Sequence, residues 1–125
     1  MASVPGDLLY TKDHEWAQVK GAMVTSGITD HAQHELGDIV FVQLPSVGVR
    51  VVQGQPYGEI EAVKTVAPLN APVGGTVKEV NTALAENAGT INTDPYGQGW
   101  IIRIEMDKVS ETAALLNAAA YAKLI

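Results

Sequence analysis

The stretch Gly58-Glu-Ile-Glu-Ala-Val-Lys64-Thr-Val-Ala-Pro68 restricts the fold more than any other part of the chain. Tyr57, Glu59, Glu61 and Val63 alternate with Ile60 and Ala62, the two-residue period of a half-buried strand. That strand runs into a single lysine, and Pro68 and Pro72 beyond it forbid a long continuous ladder. Lys64 is therefore predicted at the tip of a hairpin spanning about residues 57–72, pointing into water. The flanks are symmetric. Gly54 lies ten residues before Lys64 and Gly75 eleven after it, each beside a valine-rich segment, Val49–Val52 and Thr76–Val80. Lys64 thus sits at the centre of a quasi-duplicated strand–turn–strand unit, with both glycines predicted to supply positive-φ corners. Most surface lysines only solvate a face. On a rigid tip within such a unit, the same residue also suits an attachment point for a covalent cofactor arm, and the local residues leave both readings open.

A chain of 125 residues is large enough to bury one core without metal or disulfide support, so one domain over 1–125 is expected. With no cysteine, disulfides, thiol nucleophiles and cysteine-ligated zinc are excluded. The formal charge of −6 argues against nucleic acid or an anionic membrane as partner, since both need clustered Lys and Arg. No apolar run reaches membrane-spanning length. The stretch Met1–Asp7 lacks both a secretory apolar core and an Arg-rich transit pattern, so any transit peptide is expected to be already removed. Twelve glycines, six prolines and closely spaced valines indicate a mainly β body.

Leu8–Val19 reads as extended, interrupted by Asp13-His-Glu-Trp16, and Gly21 turns it into a second strand, Met23–Ile28. A two-turn helix follows, with Asp30 as cap, Gln33 three residues on and Gly37 closing it. His31, His34 and Glu35 share that helix, but two histidines without a further His or Cys are a weak metal set, and a solvated face is the reading preferred. His14 has no accompanying serine or cysteine nucleophile motif, so neither a catalytic residue nor a metal site is assigned. Asp38–Leu44 is apolar enough to be placed centrally in a sheet, and Pro45 ends it. Thr82–Ala85 is read as one helical turn and Trp100–Met106 as the last strand. From about Ser110 to Ile125 the pattern turns helical, with Ser110 as cap and Asn117 as a break; Leu115, Leu116, Tyr121, Leu124 and Ile125 are expected to face the β body.

Taken in order, Tyr10–Trp16, Gly27–Gln33, Leu36–Pro45, Glu61–Lys64, Ala71–Gly75, Glu79–Asn81 and Asp94–Trp100 resemble the H protein of the glycine cleavage system. The resemblance runs from Tyr10 to Leu124. It implies a lipoyl-domain β-sandwich (a barrel-sandwich hybrid, or hammerhead) with a short internal helix and a helical C-terminal extension. It implies lipoate joined covalently to Lys64, with Glu61, Gly54 and Gly75 giving the hairpin the shape that the attaching lipoate ligase or lipoyl/octanoyl transferase reads. The implied function is a carrier, not an enzyme. Its arm takes an aminomethyl group from the glycine decarboxylase (P protein) to the aminomethyltransferase (T protein), and its dithiol is reoxidised by dihydrolipoamide dehydrogenase (L protein). The implied compartment is the cytoplasm in a bacterium or the mitochondrial matrix for a mature eukaryotic chain. In that role Lys64 needs exposure and shape rather than activation as a nucleophile.

One departure stands out. The family pattern carries an acidic residue four places after the lysine, where this chain has Pro68. In the resemblance that acid and the glutamate of His-Glu-Trp line the cleft that shelters the cationic aminomethyl arm; Glu15 is kept, and Asp13 is the candidate substitute for the other. Alternatives are an H-like protein that mainly relays lipoyl groups to other enzymes, and an unmodified binding β domain. A biotin carrier would place methionine on both sides of the lysine, where Val63 and Thr65 stand. A lipoyl domain of a 2-oxoacid dehydrogenase would carry Asp before it.

Overall fold

The computed structural model describes residues 3–125; Met1 and Ala2, which open the stretch read above for targeting signals, lie outside it. Two antiparallel sheets form the body. The larger runs in the order β1 (Leu9–Tyr10), β2 (Glu15–Lys20), β3 (Met23–Ile28), β9 (Ile102–Met106), β8 (Gly75–Val80), β5 (Arg50–Val51). The smaller contains β4 (Ile39–Gln43), β6 (Pro56–Ala62) and β7 (Val66–Asn70), with β6 in the middle. Between the sheets lies a core that includes Val24, Ile60, Leu69, Val73, Val77 and Ile104, all almost wholly out of solvent. A second cluster, Leu8, Tyr10, Trp16 and Tyr121, closes one end. There the Tyr10 and Tyr121 rings stack at 4.7 Å between centroids. Among the described residues no helix is long and apolar enough to cross a membrane.

The valine-rich flanks of the lysine unit do pair, Arg50 with Thr76 and Val51 with Gly75, so the quasi-duplication is a real strand ladder. Its two glycines serve different needs. Gly54 takes φ +81°, the corner predicted for it. Gly75 does not: it is a strand residue, and glycine is required because a Cβ there would lie 2.0 Å from the Glu105 carbonyl oxygen of β9. The clash was invisible in the sequence because Glu105 is thirty residues away.

Three other expectations need correction. β4 is an edge strand of the smaller sheet, not a central one. A bulge between Ile39 and Phe41 turns both Val40 and Phe41 outward, which leaves a continuous apolar run half exposed. The helix α1 (Asp30–Leu36) is capped by Thr29, whose side chain accepts from the Ala32 N–H, while Asp30 holds the Gln33 side chain at 2.7 Å. The C-terminal extension is two short pieces, a 3₁₀ segment Val109–Ala114 and α3 (Ala118–Ala122). Between them Leu116 exchanges backbone hydrogen bonds with Tyr10, and Asn117 caps α3 rather than merely breaking a helix. Tyr121 is buried as expected, whereas Leu124 and Ile125 are exposed.

Asn92, on α2 (Thr90–Thr93), joins the end of α1 to the start of β4. Its amide nitrogen donates to the Gln33 side chain and the Gly37 carbonyl, both at 2.9 Å, and its oxygen accepts from Ile39 N–H at 3.0 Å. This junction is the surface on which the lysine hairpin rests. The fold yields a first prediction. Gly75→Ala should lower the urea midpoint of unfolding by the equivalent of about 2 kcal/mol or more, because its clash is with backbone that cannot swing away.

Candidate functional site

The hairpin is built from β6 and β7, which pair Glu61 with Val66, Ile60 with Ala67 and Glu59 with Pro68. Pro68 sits inside β7 without breaking it because β7 is an edge strand, where a missing N–H is tolerated. Ala62 N–H donates to the Thr65 carbonyl at 2.8 Å, leaving Val63 and Lys64 as the two residues that cross the tip. Val63 N–H donates in turn to Asp38 O at 3.0 Å, tying the tip to the junction between α1 and β4. Lys64 is exposed, and its side chain passes over Gly37, where an added Cβ would lie 3.4 Å from Lys64 Cε. Ile60, Ala62 and Leu69, facing the other way, are buried and hold the tip rigidly to the body.

Beside this hairpin opens a cleft of about 160 Å³. Ile28, Ile60 and Ala67 give it apolar walls; Asp13, Glu15 and Glu35 bring carboxylates to it, and Pro68 lies on its hairpin side. The Asp13-His-Glu turn and the hairpin meet at Asn70. Its backbone N–H reaches Glu15 Oε2 at 3.4 Å and its amide Nδ2 reaches Asp13 Oδ2 at 3.4 Å. Glu15 is 2 % exposed, and Thr11 Oγ1 donates to its other oxygen at 2.7 Å. Burial pushes the Glu15 carboxyl up to about 8; the Thr11 and Asn70 hydrogen bonds oppose the shift and the Asp13 charge adds to it. Tyr57 packs on this side too. Its hydroxyl is buried without a hydrogen-bond partner among the described residues, and burial followed by the nearby Glu15 charge raises the phenol well above its ordinary range. The alternation placed Tyr57 on the same face as Glu59, but a register shift between Pro56 and Gly58 separates them, and Tyr57 turns inward.

The far wall depends on how His14 is held, which the motifs did not indicate. His14 has φ +69°, a left-handed backbone uncommon outside glycine. The ring is fixed by Tyr121, whose hydroxyl lies 2.8 Å from His14 Nδ1 and 2.8 Å from Thr29 Oγ1. One hydroxyl of α3 therefore joins the His-Glu turn to the cap of α1. His14 and His31 rings are 4.8 Å apart, and burial first, then His31, lower the His14 imidazole below its ordinary value. His31 and His34 also face Glu35 and Asp30 at 3.7 and 3.5 Å. Among the described residues no group of three His, Cys, Asp or Glu is placed to hold a metal ion.

The structure thus brings Lys64, Glu15, Asp13 and Pro68 to one side of the molecule and adds Glu35 and His14 to them. Glu61 stays on the outer face of the hairpin, Gly54 lies at its base, and Gly75 is buried in the larger sheet. Glu35 was legible only as one of three polar residues on a helix; its place in the cleft follows from how α1 crosses the hairpin.

The family described as glycine cleavage H-protein matches residues 8–125 of the chain. A glycine cleavage system H protein of Rubrobacter xylanophilus is 53% identical over 123 residues, covering 98% of this chain and 95% of the relative. One of Myxococcus xanthus is 49% identical over 123 residues with the same coverage. The crystal structure of a glycine cleavage system H protein from Mycobacterium marinum superposes with a TM-score of 0.88 at 48% identity, covering 96% of this chain and 97% of that one. The two-sheet body with its short internal helix is accordingly the lipoyl-domain sandwich, and the chain belongs to the glycine cleavage H-protein family.

Proposed function

We propose that this chain, as one unit over residues 1–125, is the lipoyl carrier of glycine cleavage, with the arm attached at Lys64. The observation that carries the reading is the pairing of a rigid, exposed lysine tip with an acid-lined cleft on the adjoining side of the same hairpin. The residues present fit such a group. Lys64 is exposed beside Gly37, and Ile28, Ile60 and Ala67 offer an apolar bed ending at Glu15. Pro68 is four residues along the strand from Lys64, about 13 Å at the usual rise, within the range of a lysine extended by an acyl chain. The larger cavity at the hairpin base, near Gly54 and Pro72, lies farther from the tip.

When attached, the lipoyl group would supply a disulfide able to accept an aminomethyl group from glycine decarboxylase and, once the aminomethyltransferase has removed that group, a dithiol able to give two electrons to dihydrolipoamide dehydrogenase. The chain's own residues hold and shelter. Lys64 becomes a neutral amide and serves as a tether; the rigid turn limits where the arm can go, which raises its effective concentration at a docked enzyme. Ile28 and Ile60 exclude water from the cargo. Glu15 faces a cationic cargo, and a cation there favours the ionised carboxylate, so entry of the cargo is coupled to proton release from Glu15. Glu61 and Gly54 shape the hairpin for the enzyme that loads it, and Gly75 keeps the supporting ladder closed. None of these groups makes or breaks a cargo bond, which makes the chain a carrier rather than a catalyst. The matching relatives are bacterial, which supports the cytoplasmic branch of the compartment expectation.

Three outcomes test this reading. With a lipoate ligase, ATP and lipoate, intact mass should show a single lipoyl addition that Lys64→Arg abolishes; persistence of the addition in that variant would exclude the site. A Pro68→Asp variant should lose its aminomethyl cargo to water more slowly, since a carboxylate restored beside an ammonium is worth roughly 1–3 kcal/mol, or fivefold and more in rate. Equal hydrolysis in both proteins would remove Pro68 from the argument. The third outcome concerns Glu15. A carboxyl raised to about 8 on folding contributes stability that is full below its ordinary range and is lost as pH climbs toward 8. The thermal midpoint should therefore decline between about pH 5 and about pH 8, while that of Glu15→Gln stays flatter over the same window.

A further inference from the structure

The exposed side of the smaller sheet has an apolar surface that nothing in the cleft uses. Because of the bulge in β4, Val40 and Phe41 both project outward opposite Glu61, and they are 56 % and 51 % exposed. Val66, the partner of Glu61 on β7, is 53 % exposed on the same face. Glu59 lies one row farther from the tip, between Gln43 and Pro68. The result is an apolar strip bordered by two carboxylates and ending at the lysine turn. A bulge that exposes two large apolar side chains on an edge strand has to be accounted for, since such an edge invites unwanted pairing.

We propose that this outer face, Val40, Phe41, Glu59, Glu61 and Val66, is the docking surface for the enzyme that acylates Lys64. The inference rests on the carrier reading above and adds residues outside the hairpin to it. Two observations select that occupant. The first is charge. Across the three strands of this sheet and the turn, Lys64 is the only Lys or Arg, whereas Glu59 and Glu61 stand on the exposed face. A second copy of the chain would bring those carboxylates against their own kind, so the complementary partner is cationic around an apolar pocket. The second is reach. Enzymes that act on the far end of a long arm can bind at a distance from Lys64. The enzyme that makes the amide cannot. The amine must attack the carbonyl of an acyl adenylate, forming the C–N bond as AMP leaves with the C–O electron pair and the surplus proton goes to solvent. That requires the Lys64 nitrogen itself in the active site, with the faces of the tip in the enzyme's grip. The cleft side is occupied by α1 and the His-Glu turn, which leaves the outer face as the grip.

Steady-state attachment of lipoate by a lipoate ligase, followed by intact mass, tests the proposal on the full chain. Val40→Thr/Phe41→Thr should lower kcat/KM for attachment at least about tenfold, mostly through KM, the scale of losing an apolar anchor at an interface. The thermal midpoint should stay near that of the wild type, because both side chains are already exposed. Val66→Thr supplies a second, single-site reading should the double variant fold poorly, and Val109→Thr, exposed on the remote 3₁₀ segment, should leave attachment unchanged. Once lipoylated, the double variant should exchange carbon dioxide with glycine at the wild-type rate in the presence of glycine decarboxylase. Attachment within twofold of wild type in both the double variant and Val66→Thr would overturn the assignment. So would a loss of exchange as large as the loss of attachment. Failure of the wild type itself to accept lipoate would overturn the carrier reading together with this one, and is distinguished in the same spectra.

Discussion

Burial of Ile60 and Leu69 between the two sheets is the interaction on which the site depends. These two side chains lie on neighbouring strands of the lysine hairpin and face inward, nearly free of solvent. Each contributes about 1.5–3 kcal/mol of apolar transfer, ample to keep a two-residue turn from swinging. Everything useful about Lys64 follows from that anchorage. Because the hairpin cannot rotate, the inner edge of β7 always borders the cleft, and the outer face always presents the same strip of carboxylates and apolar groups. The hydrogen bond from Val63 to Asp38 and the Asn92 staple under Gly37 extend the same rigidity to the tip.

Local grammar carried the hairpin. Its alternation, the single lysine and the symmetric glycines are short-range features, and strands β6 and β7 lie where they indicated. Apart from the cap of α1, which moves by one residue to Thr29, the misreadings concern partners distant in sequence. Gly75 looks like a corner until Glu105 of β9 is known to press against its α-carbon. The apolar run Ile39–Val42 suggests a strand buried on both faces, but a bulge breaks the period and lets two of its members point to water. The alanine-rich tail has the composition of one helix, yet the ladder between Leu116 and Tyr10 is stronger than its propensity and divides it. In the site, Glu15 and Asp13 could be named from the His-Glu-Trp motif. Glu35 and the part played by the His14 ring could not, because nothing in a linear pattern says that α1 and a left-handed turn will enclose the same space.

The cleft holds three carboxylates with different surroundings. Glu15 is dry, held by Thr11 and a backbone N–H, and resists ionisation. Asp13 is exposed and reaches Asn70 from outside. Glu35, on the last turn of α1, faces His31. An arrangement of this kind can accept a cation without being strongly anionic when empty.

The hydroxyl of Tyr121 spans separations of 107 residues to His14 and 92 to Thr29. The hairpin, by contrast, is made from contacts within some fifteen residues of one another. The two halves of the site therefore belong to opposite ends of the folding order. A chain emerging from the ribosome has its lysine turn available early, while the chamber beside it is assembled only after the last short helix has been made and laid across the first strand. The lysine turn and the cleft beside it are separated in time as well as in space.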